Sequence, residues 1–382
     1  MKIFPITVYG ILGTFALVSC KDHSKVSQPQ LTSNPDSIPR KTVPFDSTQI
    51  LVDQPAGLIT PKGMVWIPGG MFTQGAVTGD LMAMEHEKPA HKVAVDGFFM
   101  DISETTNAQF RKFVNETGYI TVAEREIDWE EMKKQLPQGT EKPHDSILQP
   151  GSLTFKKSES TVPNLYDFSQ WWSWTIGANW KHPGGPGTSI KGKDNDPVVH
   201  MAYEDAMAYC DWAGRRLPSE AEWERAARAN MDDTIYFWGN EIGELSKMGN
   251  TWEGEFPVVN TQKDGYERRA PVKSYPANAY GLHDMAGNVW EWTSDWYNTD
   301  YYKQVAQNNR TLYNPQGAKT PYNERDPYAK EKIMKGGSFL CNESYCASYR
   351  ISSRMATSLD SSLEHLGFRT VATVDMLDKS PE

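Results

Sequence analysis

Two cysteines five positions apart, Cys341 and Cys346, are the residues of this sequence best suited to redox or metal chemistry. They lie in the stretch KGGSFLCNESYCASYR, residues 335–350, and the chain of 382 residues has only four cysteines. Such a pair has three possible roles: a structural disulfide, a clamp for a soft metal ion, or a pair of reactive thiols.

The spacing of the pair separates these roles only in part. A disulfide is the usual role in an exported protein, although closing so short a loop restrains the unfolded chain weakly. Two thiolates suit Cu(I), whereas zinc needs four ligands, and no further cysteine or His-x3-His pair lies nearby. The spacing by itself favours a disulfide over a copper clamp.

The composition excludes some partners and indicates a loop-rich fold. The 49 acidic residues outnumber the 39 basic ones, giving a formal charge of -10 without a basic block. Nucleic acid and anionic membrane surfaces are therefore poor candidate partners. The 29 Gly, 24 Pro and 13 Trp indicate many turns and large aromatic anchors rather than long helices.

The first 58 residues are predicted to target and tether the protein. Residues 1–20 combine a short basic start with an apolar run that is too short for a membrane span. The small residues before Cys20 resemble a bacterial lipobox, which implies cleavage and lipid attachment at Cys20; a plain secretory signal is the alternative. Residues 21–58 are rich in Ser, Pro, Gln and Asp and predict a flexible tether. We therefore expect an exported, membrane-anchored lipoprotein in the periplasm or at the cell surface.

Three helices are predicted in the first half of the domain. One begins near Thr105 and ends at Gly118, since glycine tolerates a left-handed cap. A second has small residues and Cys210 on one face, which predicts that this thiol is buried. A third begins at a capping-box pattern formed by Ser219 and Glu222.

The stretch HEKPAH, residues 86–91, superficially resembles a zinc-protease motif. Its histidines are five positions apart rather than four, and Pro89 would break the helix such a motif requires. We predict a loop that precedes a strand.

Several longer phrases resemble one protein family. RRLPSEAEWERAAR, YGLHDMAGNVWEWTSDWY, KGGSFLCNESYCASYR and LGFRTVA together resemble the formylglycine-generating enzyme (sulfatase-modifying factor) family, from about Gly63 to Val374. The resemblance implies a single α+β domain over residues 59–376, with little regular secondary structure and a relation to C-type lectins. Residues 377–382 are then a tail.

The resemblance also implies a reaction. Members of the family oxidise one cysteine of a sulfatase to Cα-formylglycine, using O2 and Cu(I), and recognise an extended, unfolded segment around Cys-x-Pro-x-Arg. A thiol reductant is the expected electron source. Beyond the lipid anchor we expect neither membrane contact nor nucleic acid binding, and we expect a monomer.

The family pattern assigns roles to individual residues. Trp290 is equally compatible with core packing, and Glu104 with a carboxylate at a helix start. Asp128 is expected to receive the arginine of the substrate. The residues expected to be catalytic are Cys341, Cys346, Ser338, Tyr345, Trp290 and Glu104, with the two cysteines as copper ligands.

Two calcium sites are also implied by the resemblance. Asp, Asn and Gly are default turn residues, so the sequence without the family pattern would indicate ordinary turns. Calcium prefers several hard oxygens from carboxylates and carbonyls in such turns. The first site is assigned to Asn250, Thr251, Asp264 and Tyr266, and the second to Asp284, Gly287, Val289 and Glu291.

Two other functions share the wider fold. A sulfoxide synthase would need an iron site built from a histidine cluster, and the chain has only 8 histidines without such a grouping. A non-enzymatic binding or scaffold lipoprotein would have no reason to retain the cysteine pair. The presence of the pair therefore favours the enzyme.

Overall fold

The computed structural model describes residues 49–136 and 138–377. The predicted signal peptide, Cys20, most of the tether and residues 378–382 lie outside the described residues. Within the described ranges, no helix is long and apolar enough to cross a membrane.

Short helices and strands alternate with long turns, and only 20% of the chain is helix and 19% strand. The prediction of a single α+β domain with little regular secondary structure is therefore confirmed. The helices are α1 (Asn107–Thr117), α2 (Trp129–Met132), α3 (Tyr203–Ala213), α4 (Glu220–Arg228), α5 (Leu245–Met248), α6 (Tyr301–Ala306) and α7 (Val374–Leu377). The strands are β1 (Met64–Ile67), β2 (Gly70–Gln74), β3 (His91–Val95), β4 (Phe98–Asp101), β5 (Gly151–Phe155), β6 (Trp172–Ile176), β7 (Trp290–Trp296), β8 (Leu312–Tyr313), β9 (Glu331–Lys335), β10 (Met355–Ser358), β11 (Leu366–Gly367) and β12 (Val371–Ala372).

The strands of the described part of the chain form four small sheets. One has the order β10-β9-β7-β11, in which β9 is antiparallel to both neighbours and β11 is parallel to β7. The others have the orders β1-β4-β12, β2-β3-β8 and β5-β6. The chain between β9 and β10 holds both cysteines, so two paired strands anchor its ends.

The predicted helix boundaries are confirmed by their caps. Thr106 accepts a hydrogen bond from Gln109 N at the start of α1, and Gly118 ends this helix with a φ of 69°. Ser219 and Glu222 form the predicted capping box of α4. Cys210 on α3 is a free cysteine, and its predicted burial is confirmed.

The domain begins earlier than predicted. Residues 51–58 were assigned to the tether, yet Leu51 N donates to Asp96 Oδ1 at 2.8 Å. The Leu51 carbonyl accepts from Gly97 N, and the Val52 carbonyl accepts from Gly69 N. The predicted boundary at residue 59 is therefore too late, because the low apolar content of this segment hides backbone pairing with the distant Asp96–Gly97 turn.

Helix α4 lies at the centre of the fold, and all nine of its residues are buried. It packs against β2, β3, β7 and β9. Arg228 donates to Glu224 at 2.8 Å, and both oxygens of Glu220 accept from Arg354 at 2.8 Å. Because these charged groups are paired inside the protein, they avoid the cost of an isolated buried charge.

Buried cations flank the segment that carries the cysteines. Lys335 ends β9 with its Nζ 3.5 Å from Glu224 Oε2. On the other side, Arg350 donates to both oxygens of Glu87 and to Asp80, each at 2.7 Å. Residues 336–349, hereafter the cysteine loop, therefore lie between two charged groups fixed in the core.

Glu87 comes from the HEKPAH stretch, whose prediction as a loop before a strand is confirmed by the start of β3 at His91. Its pairing with Arg350 was not predicted. Burial by itself would raise the pKa of Glu87, but the hydrogen bonds and charge of Arg350 outweigh burial and lower it. The Glu87 carboxylate is thus charged in the folded protein at neutral pH.

We expect Glu87→Gln to lower the free energy of unfolding by about 3–5 kcal/mol, because it leaves Arg350 buried without a full counter-charge. Since the pKa of Glu87 is lowered on folding, its contribution is present at neutral pH and is lost as the pH falls below the usual glutamate range. Urea denaturation measures the change. Glu204→Gln, which removes an exposed partner of Arg125, is the control and should cost less than about 1 kcal/mol. Equal losses in the two variants would contradict this assignment.

Candidate active site

The cysteine loop is closed by a disulfide between Cys341 and Cys346, with the two Cα atoms 5.3 Å apart. Cys341 is 1% exposed, whereas Cys346 is half-buried. The structure therefore contains the disulfide that the spacing of the two cysteines favours. It also places the two sulfurs where, once reduced, they can share one ligand.

Two glycines make the sharp turn into the loop. Gly336 and Gly337 have φ values of 89° and 76°, a region that other residues rarely adopt. A Cβ on Gly337 would lie 2.9 Å from the Ser348 backbone, and one on Gly336 would lie 3.2 Å from the Trp223 ring. Only glycine therefore allows the loop to pass this close to the core.

Ser338 forms a tight turn around Cys341. The Cys341 amide donates to the Ser338 carbonyl at 2.9 Å, and the Ser338 amide donates to Cys341 Sγ at 3.3 Å. Ser338 Oγ accepts from the Leu340 amide at 3.3 Å. The predicted pocket serine is thus in direct contact with one predicted catalytic cysteine.

The far side of the loop is bonded to the segment around Trp252. The Trp252 amide donates to the Cys341 carbonyl at 3.0 Å, and Asn342 Nδ2 donates to the Trp252 carbonyl at 2.9 Å. The Asn342 carbonyl accepts from the Cys346 amide at 2.8 Å. The backbone around both cysteines is therefore held independently of the disulfide.

Tyr345 lies in an aromatic enclosure beside Cys346. Its ring stacks on Phe256 with centroids 4.3 Å apart and meets Trp171 edge-on at 5.6 Å. Phe168 adds a further edge contact at 6.1 Å. Burial raises the pKa of Tyr345, so its phenol is neutral at physiological pH. The enclosure can exclude water from one side of the cysteine pair.

Trp290 and Ser338 are joined by a residue that sequence reasoning missed. Trp290 begins β7 in the main core, and its amide donates to the His365 carbonyl at 2.8 Å. His365 Nδ1 lies 3.1 Å from Ser338 Oγ, and its ring meets Trp172 edge-on at 4.8 Å. The only available signal was its place directly before the family phrase LGFR.

Glu104 contacts residues of the second predicted calcium region. Its Oε1 accepts from Asn288 at 3.0 Å, while its Oε2 is buried without a hydrogen-bond partner. Burial, and next the charge of Asp284, raise the pKa of Glu104. These contacts connect Glu104 to Asp284 rather than to Ser338 or Cys341.

Asp128 is an exposed residue that caps α2. Its Oδ1 accepts from Glu130 N at 2.9 Å and from Glu131 N at 3.3 Å. No described contact joins Asp128 to the cysteine loop, so its predicted role as the partner of a substrate arginine stays a prediction.

The first predicted calcium site has oxygen atoms that lack partners. Asn250 Oδ1 is buried without a hydrogen bond. Asp264 accepts only from the amides of Thr251 and Tyr266, at 2.9 and 3.0 Å, and burial raises its pKa to about 6. A buried carboxylate beside an unpartnered amide oxygen fits a divalent cation.

Only some residues of the second predicted site are free to bind a calcium ion. Asp284 Oδ1 is buried without a partner and burial raises the pKa of Asp284, which again suits a cation. The Glu291 carboxylate, however, already accepts from Arg369 at 2.6 and 2.7 Å and from Trp223 at 2.7 Å. The second unpartnered carboxylate oxygen in this region belongs to Glu104.

Comparison with known proteins agrees with this geometry. A family model described as "Sulfatase-modifying factor enzyme 1-like domain" matches residues 51–374. A formylglycine-generating enzyme of Thermomonospora curvata is 41% identical over 312 residues, spanning 81% of this chain and 93% of the relative. A formylglycine-generating enzyme of Bos taurus is 40% identical over 313 residues, spanning 82% and 75%. The solved structure of PvdO from Pseudomonas aeruginosa has a TM-score of 0.53 at 20% identity, covering 81% of this chain and 94% of PvdO.

The domain is of the sulfatase-modifying factor class. At this identity and coverage, the chain belongs to the formylglycine-generating enzyme (sulfatase-modifying factor) family. The similarity to PvdO extends this statement to the fold alone.

After reduction of the native protein, we expect the thiols to react with iodoacetamide in a fixed order. Half-buried Cys346 should react first and Cys341 second. Cys210 should react at least about tenfold more slowly than either, because burial raises the pKa of its thiol. Peptide mapping over time measures the order, and unfolding in urea is the control that should make all three equal. Early labelling of Cys210 would contradict the described burial.

Proposed function

We propose that this protein oxidises a cysteine in sulfatase polypeptides to Cα-formylglycine. The observation that carries the proposal is the Cys341–Cys346 pair on an independently anchored loop in a chain of this family. The thiol-bearing methylene of the substrate becomes an aldehyde, and its sulfur leaves as hydrogen sulfide. The Cβ gives up two electrons and a thiol reductant gives two, which together with protons reduce O2 to two waters; one of these is consumed in forming the aldehyde.

The cysteine pair fits Cu(I). When the disulfide is reduced, the two thiolates form a soft donor set that favours Cu(I) over hard ions. The Ser338 amide hydrogen bond also stabilises the negative charge on Cys341. Cys341 and Cys346 would hold the ion, which supplies the one-electron chemistry with O2 that side chains lack.

The surrounding residues bind, orient and exclude water. Ser338 bonds to Cys341 Sγ through its amide, and its hydroxyl can hydrogen-bond to the substrate cysteine. Tyr345 and its aromatic neighbours close one side of the site, while the Trp290 amide holds the carbonyl of His365, the residue before β11. Such positioning is the main contribution of a protein to cofactor chemistry.

The proposed client is an unfolded segment with the pattern Cys-x-Pro-x-Arg. The exposed carboxylate of Asp128 would attract its arginine, since Oδ2 is not used in the α2 cap. We further propose that the protein is exported and lipidated at Cys20, acts as a monomer, and meets O2 and a thiol reductant outside the cytoplasm.

We propose that bound calcium stabilises the segments that hydrogen-bond to the cysteine loop. The Gly287 amide donates to the Gly336 carbonyl at 2.8 Å, and the Phe339 amide donates to the Asn288 carbonyl at 2.9 Å. The Trp252 amide, next to the first site, holds Cys341. The proposed ligands are Asn250, Thr251, Asp264 and Tyr266 at the first site, and Asp284, Gly287, Val289 and Glu291 at the second, where Glu104 supplies a further buried carboxylate.

Removal of calcium should lower the melting temperature. We expect EGTA to lower it by at least about 2 °C, because a ligand that binds only the folded state stabilises that state. Asp264→Ala should reduce the EGTA effect, and Asp211→Ala, which removes an exposed carboxylate on α3, is the control that should retain it. Differential scanning calorimetry measures the shift. An EGTA effect of the same size in Asp264→Ala would exclude the first site.

The proposed reaction is tested on a synthetic Cys-x-Pro-x-Arg peptide incubated with the soluble domain, Cu(I), reductant and air. We expect mass spectrometry to show the substrate thiol replaced by an aldehyde, and an aminooxy reagent to trap the product. Cys346→Ser should abolish turnover because one of the two thiolates is lost.

Cys210→Ala is the matched control for this assay, since it removes a buried cysteine of α3 that is not part of the loop, and it should retain turnover. Aldehyde formation by Cys346→Ser would contradict the role of the pair. An unchanged peptide with no bound copper would instead favour a binding lipoprotein whose disulfide is structural.

A further inference from the structure

The imidazole of His365 lies beside Ser338, and neither the sequence motifs nor the proposed reaction assigns it a role. Its Nδ1 lies 3.1 Å from Ser338 Oγ, and its backbone carbonyl accepts from the Trp290 amide at 2.8 Å. It precedes β11, which pairs with the start of β7. The imidazole is therefore attached to the sheet on one side and to the serine beside Cys341 on the other.

The ring of His365 has little freedom. The side chain is buried, and Trp172 meets it edge-on with ring centroids 4.8 Å apart. Burial, and next the nearby His200, lower the pKa of His365 to about 3. At physiological pH the ring is neutral, so it carries a single N–H and can form one directed hydrogen bond through Nδ1.

Two contacts at Ser338 Oγ decide where its hydroxyl proton can point. A serine hydroxyl has one proton and two acceptor positions. The Leu340 amide occupies one acceptor position at 3.3 Å, which leaves the direction of the proton undecided. A proton on His365 Nδ1 would fill the second acceptor position, and the hydroxyl proton would then point away from both donors, toward the substrate side.

We propose that His365 is a positioning residue that orients the Ser338 hydroxyl toward the substrate cysteine. The inference rests on the proposed function and adds a residue to it. His365 itself touches neither cysteine in the described contacts, so it acts through Ser338. Its removal should therefore reduce kcat with little effect on KM, because the oriented hydroxyl matters most in the transition state.

Three substitutions of His365 test whether a polar group at the position of Nδ1 is needed. His365→Leu removes the bond and should lower kcat about tenfold, the effect expected for one lost hydrogen bond. His365→Asn places an amide where Nδ1 lies and should restore most of the activity. His365→Gln places its amide near Nε2 and should not.

A double-mutant cycle separates positioning from general damage. If His365 acts through Ser338, His365→Leu should have almost no further effect in a Ser338→Ala background. His200→Leu is the matched control, since it also removes a buried imidazole bonded to a serine, here Ser152 at 2.6 Å. This control should lower the melting temperature but leave kcat near that of the wild type.

Nitrogen-15 NMR of the imidazole tests the contact without any turnover. Ser338→Ala should shift the Nδ1 resonance of His365 and leave the His200 resonances unchanged. If the wild type fails to convert the peptide, the proposed function is wrong, and an Nδ1 shift would still establish that His365 binds Ser338. If the wild type is active, an unshifted Nδ1, or additive effects of the two substitutions, would overturn the role of His365.

Discussion

A set of buried ion pairs determines where the two cysteines lie. Lys335 and Arg350 stand at the two ends of the cysteine loop, and both face carboxylates in the core. Buried pairs of this kind add little net stability but are costly to break, so they favour one arrangement over its alternatives. Glu87 and Arg350 are separated by 263 positions, and their contact joins the first third of the chain to the loop. The site therefore depends on the whole domain rather than on a local motif.

The sequence could predict what local chemistry determines. The capping box at Ser219 and Glu222, the glycine that ends α1, and the buried thiol of Cys210 follow from nearest neighbours along the chain. The spacing of Cys341 and Cys346 likewise indicated a disulfide, and the structure contains it. These features need no knowledge of distant partners, because capping and helix periodicity act within a few residues.

Features built from distant contacts could not be predicted. HEKPAH contains no signal that Glu87 forms an ion pair with Arg350. The position of His365 directly before LGFR likewise does not indicate that its side chain contacts Ser338. Glu104 was expected to be a pocket acid, and its contact with Asn288, in the second predicted calcium region, could not be predicted from the sequence. In each case the topology of the fold selects the partner, and neither composition nor periodicity indicates which residue the partner is.

We propose that Cys341 and Cys346 act together on one soft ion, on a loop whose backbone is also held by hydrogen bonds outside the disulfide. X-ray absorption spectroscopy at the copper edge, on reduced protein loaded with one equivalent of Cu(I), tests it most directly. Two sulfur ligands are expected in the wild type and one in Cys346→Ser. Copper bound only through nitrogen or oxygen, or no binding after reduction, would contradict it.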